Sequence, residues 1–171
     1  MKTLVRKKEP WSRFAGKALV LIVAIFLLFA WIESRYRIGI DSQVIRCFPD
    51  HKFFLVDLKD KVTARDRIIA YKAQGLAPYF ADGTLMGKVI KGLPGDHLQI
   101  NSNGVFINGA LIADGFPLTD RLQVDESTFY KDEIIPAKKY LLMAPAPESY
   151  DGRYWGYVDE QQIVGKATPF M

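Results

Sequence analysis

Gly87-Lys88-Val89-Ile90-Lys91-Gly92-Leu93-Pro94-Gly95-Asp96 is the stretch on which the reading of this chain turns. It runs a short apolar strand pattern into a tight turn. Pro94 fixes its own φ and Gly95 tolerates a positive one, so Gly92, Pro94, Gly95 and Asp96 read as scaffold, with the Asp96 side chain placed to close the turn. The spacing G-x-x-x-x-G-K-[ST] of a phosphate loop is absent. Lys88 is either a solvated lysine at a strand edge or an inward-facing one. Apolar surroundings favour the neutral amine, the form that accepts a proton. Lys91, one residue before the turn, is the competing lysine and is expected to be exposed.

Strand patterns continue on both sides. Phe53–Leu58 and Arg67–Tyr71 precede the turn, and His97–Ile100, Val105–Ile107, Ala110–Ile112, Tyr140–Met143 and Ile163–Ala167 follow it. All are short, apolar and rich in β-branched or aromatic residues. Asn103-Gly104 and Asn108-Gly109 separate three of them and suit type I′ hairpin turns. Residues 113–136 are polar and irregular and read as an insertion or flap. The fold class is mainly β: an antiparallel domain of short strands behind one N-terminal helix.

That helix is expected over Ala18–Ile32, fifteen residues without a charge. At 1.5 Å per residue this is about 22 Å, and Phe14, Ala15 and Gly16 with a snorkelling Lys17 bring it towards the thickness of a bilayer core. The first 17 residues carry Lys2, Arg6, Lys7, Lys8, Arg13 and Lys17 against Glu9, so the net charge of +4 is concentrated there. Basic charge placed before an apolar run reads as membrane topology. A nucleic-acid-binding domain would spread it over the folded body. A cleaved signal peptide shares this pattern, but Ala30 leads into Trp31, Ile32 and Glu33 without a small-x-small site. A buried soluble helix is disfavoured by the flanking cations. The chain therefore divides into a basic cytoplasmic segment (1–17), a transmembrane anchor (18–32), a connection (33–44) and a folded domain (45–171). The last lies on the periplasmic or outer side of an inner membrane crossed once. The single cysteine, Cys47, excludes an internal disulfide. His51 and His97 have no companion ligands, so neither a metal nor a cofactor is expected, and His51 is expected to be exposed beside Asp50.

A second stretch, Ser149-Tyr150-Asp151-Gly152-Arg153-Tyr154-Trp155-Gly156-Tyr157-Val158, completes the pattern. Asp151 and Arg153 share a face if the backbone is extended, and an ordinary Asp-x-Arg is a weak surface pair. Together the two stretches resemble the lysine box (K-R-V-x-G-L-P-G-D) and the C-terminal box (S-x-D-S-R-Y-W-G-x-V) of type I signal peptidases, the S26 family of membrane-anchored serine–lysine proteases. The resemblance covers about residues 45 to 168. It implies Lys88 as the general base, Ser149 as the residue orienting its amine, and Asp151 with Arg153 as a supporting charged pair.

The nucleophile departs from that pattern. Signal peptidases carry Ser-Met-x-Pro, or Ser-x-Pro in the conjugative-transfer branch (the TraF type). Here Cys47-Phe48-Pro49 stands in that place, with Pro49 as the supporting proline. A thiol needs less help from a base than a hydroxyl, and Arg46 beside it favours a thiolate. Ser42, without the proline, is the alternative nucleophile, and a buried structural cysteine is the ordinary fate of a free thiol. Ile45 stands where the family offers an oxyanion hydroxyl or glycine, which leaves backbone N–H groups for that task. Arg65-Asp66-Arg67 and Ala144-Pro145 also replace family glycine-aspartate pairs. The resemblance implies an endopeptidase acting on exported precursors, pilin-like ones in the conjugative branch, with a conjugative transfer apparatus as a partner and acyl transfer to an amine as an open variant. A catalytically silent structural member of an envelope secretion apparatus is the alternative. A self-cleaving Ser–Lys repressor is disfavoured by the anchor.

Overall fold

The computed structural model describes residues 10–43 and 46–170. It divides into two units, residues 1–36 and 37–171. The first is built on α1, Trp11–Arg35, whose described residues are all exposed or half-buried and which is long and apolar enough to cross a membrane. The helix runs past both ends of the apolar segment 18–32. Pro10 precedes it, where a missing N–H is harmless, and nothing from Trp11 to Lys17 breaks a helix. At its other end Glu33, Ser34 and Arg35 continue it, with Arg35 placed favourably for the helix dipole. At 1.5 Å per residue its 25 residues span about 37 Å. The stretch 33–44 thus holds the end of α1 and a strand, β1 (Tyr36–Ile40), in place of an irregular connection.

The second unit contains two antiparallel sheets. The larger joins β1, β2 (Phe53–Asp57), β3 (Ile68–Lys72), β4 (Leu85–Gly92), β9 (Lys139–Met143), β10 (Tyr157–Asp159) and β11 (Ile163–Phe170) in the order β1-β2-β11-β3-β4-β9-β10. The smaller has β5 (His97–Asn101), β6 (Gly104–Ile107), β7 (Ala110–Ala113) and β8 (Lys131–Ile134) in the order β7-β6-β5-β8. Leu98, Ile100, Val105 and Ile107 from the small sheet share a core with Leu141 and Met143 of β9. A second core of Ile69, Tyr71, Ile90 and Leu142 fills the large sheet, and a third, of Phe48, Phe54, Val56, Val89 and Ala167, lies under the segment that carries Cys47.

Each strand expected from the sequence is present within a few residues. Asn108-Gly109 forms its hairpin loop with both φ values positive, 51° and 80°. The other hairpin differs. Asn101 pairs with Gly104, so its two-residue loop is Ser102-Asn103, and Asn101 Oδ1 accepts from Asn103 N at 2.8 Å. The side-chain bond moves the turn one residue back, and Gly104 becomes the first residue of β6. Residues 113–136, read as a flap, hold two short helices, α2 (Thr119–Leu122) and a 3-10 turn at Glu126–Phe129, and then β8, which pairs with β5. His51 is half-buried, and its Nδ1 is buried without a partner.

Two polar clusters fix the ends of this frame. At the Gly92–Asp96 turn, Gly95 has φ 88° and Asp96 Oδ2 accepts from Leu93 N at 2.6 Å. Arg65 Nη2 reaches both Asp96 oxygens at 2.9 and 2.8 Å, and Asn108 Nδ2 donates to Oδ1 at 2.8 Å. Gly92 has no room for a Cβ, which would meet Ile135 and Leu141. At the other cluster, α3 (Gly152–Trp155) begins at Asp151, whose carboxylate accepts from Arg153 N at 3.2 Å. The same carboxylate is gripped by the Arg153 side chain, Nε to Oδ1 at 2.9 Å and Nη2 to Oδ2 at 3.1 Å. Asp151 is 0% exposed and Arg153 2%, so this is a buried bidentate pair and not a surface one.

Two outcomes follow. Partial burial opposes the charge on Asp96, but the Leu93 N–H, the Asn108 amide and the Arg65 guanidinium outweigh it and hold the carboxyl below its ordinary range. A depressed folded value means stability present above the unfolded carboxylate range, near pH 4, and lost as pH falls through the folded value. Thermal melting of the full chain in detergent should therefore drop on acidification below about pH 4, and Asp96→Asn should be less stable at neutral pH with a flatter acid limb. For the second cluster, Arg153→Ala leaves a buried carboxylate uncompensated and should cost about 3–5 kcal/mol by denaturant unfolding. Arg153→Lys should recover only part of this, since an ammonium cannot reproduce the two-pronged grip.

Candidate active site

The centre of the site follows from the two-residue period of β4. Met86, Lys88 and Ile90 point to one face of the sheet, and Met86 and Ile90 belong to the large-sheet core. Lys88 lies between them, opposite Ile69 of β3, and is 0% exposed. Among the described residues its amine meets no carboxylate. Nζ donates to Cys47 Sγ at 2.9 Å and to Ser149 Oγ, and Cys47 Sγ lies 3.5 Å from Ser149 Oγ. The three polar atoms form a closed triangle from segments 41 and 61 residues away from Lys88 in sequence. Lys91, one face over, pairs with Asp66 at 2.6 Å and takes no part.

Local structure holds the two partners of the amine. Phe48 is buried against Phe54, ring centroids 5.2 Å apart, and His51 N donates to Phe48 O at 3.1 Å across a turn that contains Pro49. Proline pre-sets φ for the second position of such a turn. The carbonyl of Cys47 accepts from Ala146 N at 3.3 Å, and the carbonyl of Ala146 accepts from Ser149 N at 3.1 Å. Two backbone bonds thus tie the cysteine loop to the serine loop. Immediately after Ser149, the Asp151–Arg153 pair sets the chain's direction, and Trp155 Nε1 donates to Tyr150 O at 3.3 Å.

Cys47 is half-buried, with one side packed on the third core and the other facing two clefts. One cleft, of about 250 Å³, is lined by Ile40, Phe54, Ala70, Leu85 and Gly87 among others. The second, of about 550 Å³, contains Lys88 and Ser149 and extends to Tyr79, Leu118 and Tyr150. Gln43, Cys47, Phe80 and Met86 line both. Ser42 is exposed on the rim of the smaller cleft, and among the described residues no hydrogen bond joins it to Lys88. Ile45 lies outside the described residues.

Two contributors were not legible beforehand. Tyr71 of β3, opposite Met86, is fully buried and donates to Met86 Sδ at 3.6 Å. Burial, then the charges of a Cys47 thiolate and of Asp151, push its hydroxyl upward, so it remains a protonated phenol. A buried tyrosine in an apolar strand run looks like core, and only the partner strand reveals its place. The other contributor is the wall formed by Leu118, Arg121 and Leu122 from the segment around α2. Chain separation conceals it, because these residues lie 22 or more positions from either diagnostic stretch.

Signal peptidase IB of Staphylococcus aureus (strain N315) is 29% identical over 182 residues, covering 95% of this chain and 89% of that protein. Signal peptidase I of Leptolyngbya laminosa is 32% identical over 82 residues, or 47% of this chain. The probable signal peptidase I-2 of Synechocystis sp. is 28% identical over 81 residues. The chain spans 38% and 35% of the length of these two relatives. A crystal structure of a signal peptidase I from Enterococcus faecalis V583 is similar with a TM-score of 0.41 and 23% identity, covering 64% of this chain and 100% of that one. Residues 11–171 match the family described as signal peptidase, peptidase S26, and the chain belongs to that family.

Proposed function

We propose that this chain is a membrane-anchored endopeptidase that cleaves exported precursor proteins with a Cys47–Lys88 dyad. One observation carries the reading: a fully buried lysine amine whose partners are a thiol sulfur and a hydroxyl. An amine without a carboxylate partner in an apolar core is costly to keep charged, and a neutral one can take a proton. In the first half-reaction the S–H proton of Cys47 passes to Lys88 Nζ while the sulfur attacks the scissile carbonyl carbon. The tetrahedral intermediate collapses, the C–N bond breaks, and the leaving amine takes the proton from Lys88. In the second, Lys88 takes a proton from water as the hydroxide attacks the thioester. The C–S bond then breaks and Cys47 recovers its proton. Ser149 accepts from the amine and holds it within reach of Sγ, so it is a positioning residue. The 250 Å³ cleft beside Cys47 fits small side chains before the cut.

The Cys-x-Pro form of the nucleophile segment supports the conjugative-transfer branch, with prepilin-like precursors and a transfer apparatus as substrate and partner. The cation cluster before α1 supports a domain outside the cytoplasm on a single retained anchor.

Precursor-accumulation assays test the dyad. Lys88→Ala and Lys88→Arg should both abolish processing, because a guanidinium stays protonated, while Lys91→Ala should process normally. Cys47→Ala should be inactive and Ser42→Ala active. Cys47→Ser should retain slow cleavage. Loss of activity in Ser42→Ala with normal Cys47→Ala would move the nucleophile to Ser42, and normal processing in Cys47→Ala and Lys88→Ala alike would leave a silent scaffold. For topology, protease added to spheroplasts should degrade residues after about 36 and leave a short protected N-terminal piece. Full protection of the C-terminal domain reverses the orientation.

A further inference from the structure

The 550 Å³ cleft beside Cys47 has a wall for which the dyad has no use. Leu118, Arg121 and Leu122 reach it from around α2, and Glu148 and Tyr150 from the loop that carries Ser149. That wall is fixed to the frame of the site. Leu118 N donates to Tyr154 Oη at 3.1 Å in a buried contact, and Arg153 Nη1 donates to Gly115 O at 3.2 Å. Phe116 packs edge-on against Tyr154 and stacks on Phe129. The short helix α3 that holds the Asp151–Arg153 pair therefore also holds the segment leading into α2.

The interior and the mouth of this cleft differ in chemistry. Inside are Phe80, Met86, Leu118 and Tyr150, with Tyr79 against Tyr150 at 5.2 Å between ring centroids. At the mouth stand Arg121 and Glu148, both exposed. Among the described residues neither side chain has a hydrogen-bond or ion-pair partner. Two opposite charges line one cleft without neutralising each other, which leaves each free for a ligand.

We propose that this cleft is a substrate subsite that receives a large apolar side chain of the precursor, with Arg121 binding a carboxylate of the same peptide. The inference rests on the peptidase reading. Clefts of a few hundred Å³ lined by aromatic and aliphatic side chains with few polar groups are the usual form of a ligand pocket. The guanidinium fork matches a carboxylate, and Glu148 repels one placed on its own side, so the two charges give the bound peptide a direction. The substrate chain would then cross Cys47 with small residues on the 250 Å³ side and a bulky one on the α2 side.

Binding to forms that do not cleave tests this. Full-length Lys88→Ala and Cys47→Ala proteins in detergent micelles are titrated with fluorescent peptides containing Ala-x-Ala. Phe, Asp or Lys is placed in turn at each flanking position. At one position Phe should bind more tightly than Asp or Lys. At a nearby position Asp should bind roughly fivefold more tightly than Lys, the upper range for a solvent-exposed pair. Adding Arg121→Glu should invert the Asp-to-Lys ratio, and Leu122→Asp should remove the Phe preference. An Asp-to-Lys ratio unchanged by Arg121→Glu at every position overturns the proposal, as does absence of peptide binding. Because no turnover enters this measurement, cleavage that persists in the Lys88→Ala protein strikes the peptidase reading alone.

Discussion

The amine of Lys88 constrains everything around it. It is the one lysine of the described residues that is fully buried, and burial of an ammonium without an anion costs several kcal/mol. The surroundings offer it two weak partners, a thiol and a hydroxyl, and no carboxylate. The buried carboxylate of Asp151 is engaged by Arg153 through two side-chain bonds and one backbone bond. Engaged in this way, Asp151 does not join Cys47 and Ser149 as a hydrogen-bond partner of Nζ.

The triangle of Nζ, Sγ and Oγ needs three distant segments to agree within a fraction of an ångström, and the loops achieve this through backbone bonds. Cys47 O, Ala146 and Ser149 N form a short relay that makes the cysteine and serine loops one body. β4 enters this body at Lys88 and leaves it at the Gly92–Asp96 turn, where Arg65 and Asn108 fasten Asp96 from two other parts of the chain. Positioning of this kind stores its cost in the fold, so little is spent at the moment of reaction.

What the sequence discloses follows the range over which its signals act. Lys88 is legible because a two-residue period and a following Gly-Leu-Pro-Gly-Asp turn are both local. Asn108-Gly109 is legible for the same reason, whereas Asn103-Gly104 misleads, because the Asn101 side chain captures Asn103 N and moves the loop to Ser102-Asn103. β1, β8 and β10 go unread. Lys131–Ile134 carries a Lys-Asp-Glu run that looks like loop and becomes a strand by pairing with β5, and Tyr157–Asp159 is three residues long. For Asp151 and Arg153 the supporting role comes from the family resemblance, since an ordinary Asp-x-Arg is a weak surface pair and the burial involves the Gly115 carbonyl, 38 residues away. The juxtaposition of Cys47 with Lys88 came from resemblance to a family pattern. Spacing alone carries no such information across 41 residues.

A thiol in this triangle alters the division of labour between its members. Sulfur is larger than oxygen and releases its proton more readily, so in the proposed dyad less of the barrier would fall on the base and more on the fit of the acyl group. Two clefts meet at Cys47; they share Gln43, Cys47, Phe80 and Met86 and differ about twofold in volume. Met86, which accepts a hydrogen bond from the buried Tyr71 hydroxyl, lines both of them. Under the proposed peptidase reading, a peptide laid across Cys47 would place its bulk in one cleft and its small residues in the other, and that asymmetry would set both the bond cut and the direction of the chain. In that reading a nucleophilic sulfur would otherwise meet many carbonyls, and the fastening of the α2 segment to α3 would supply the wall that selection requires.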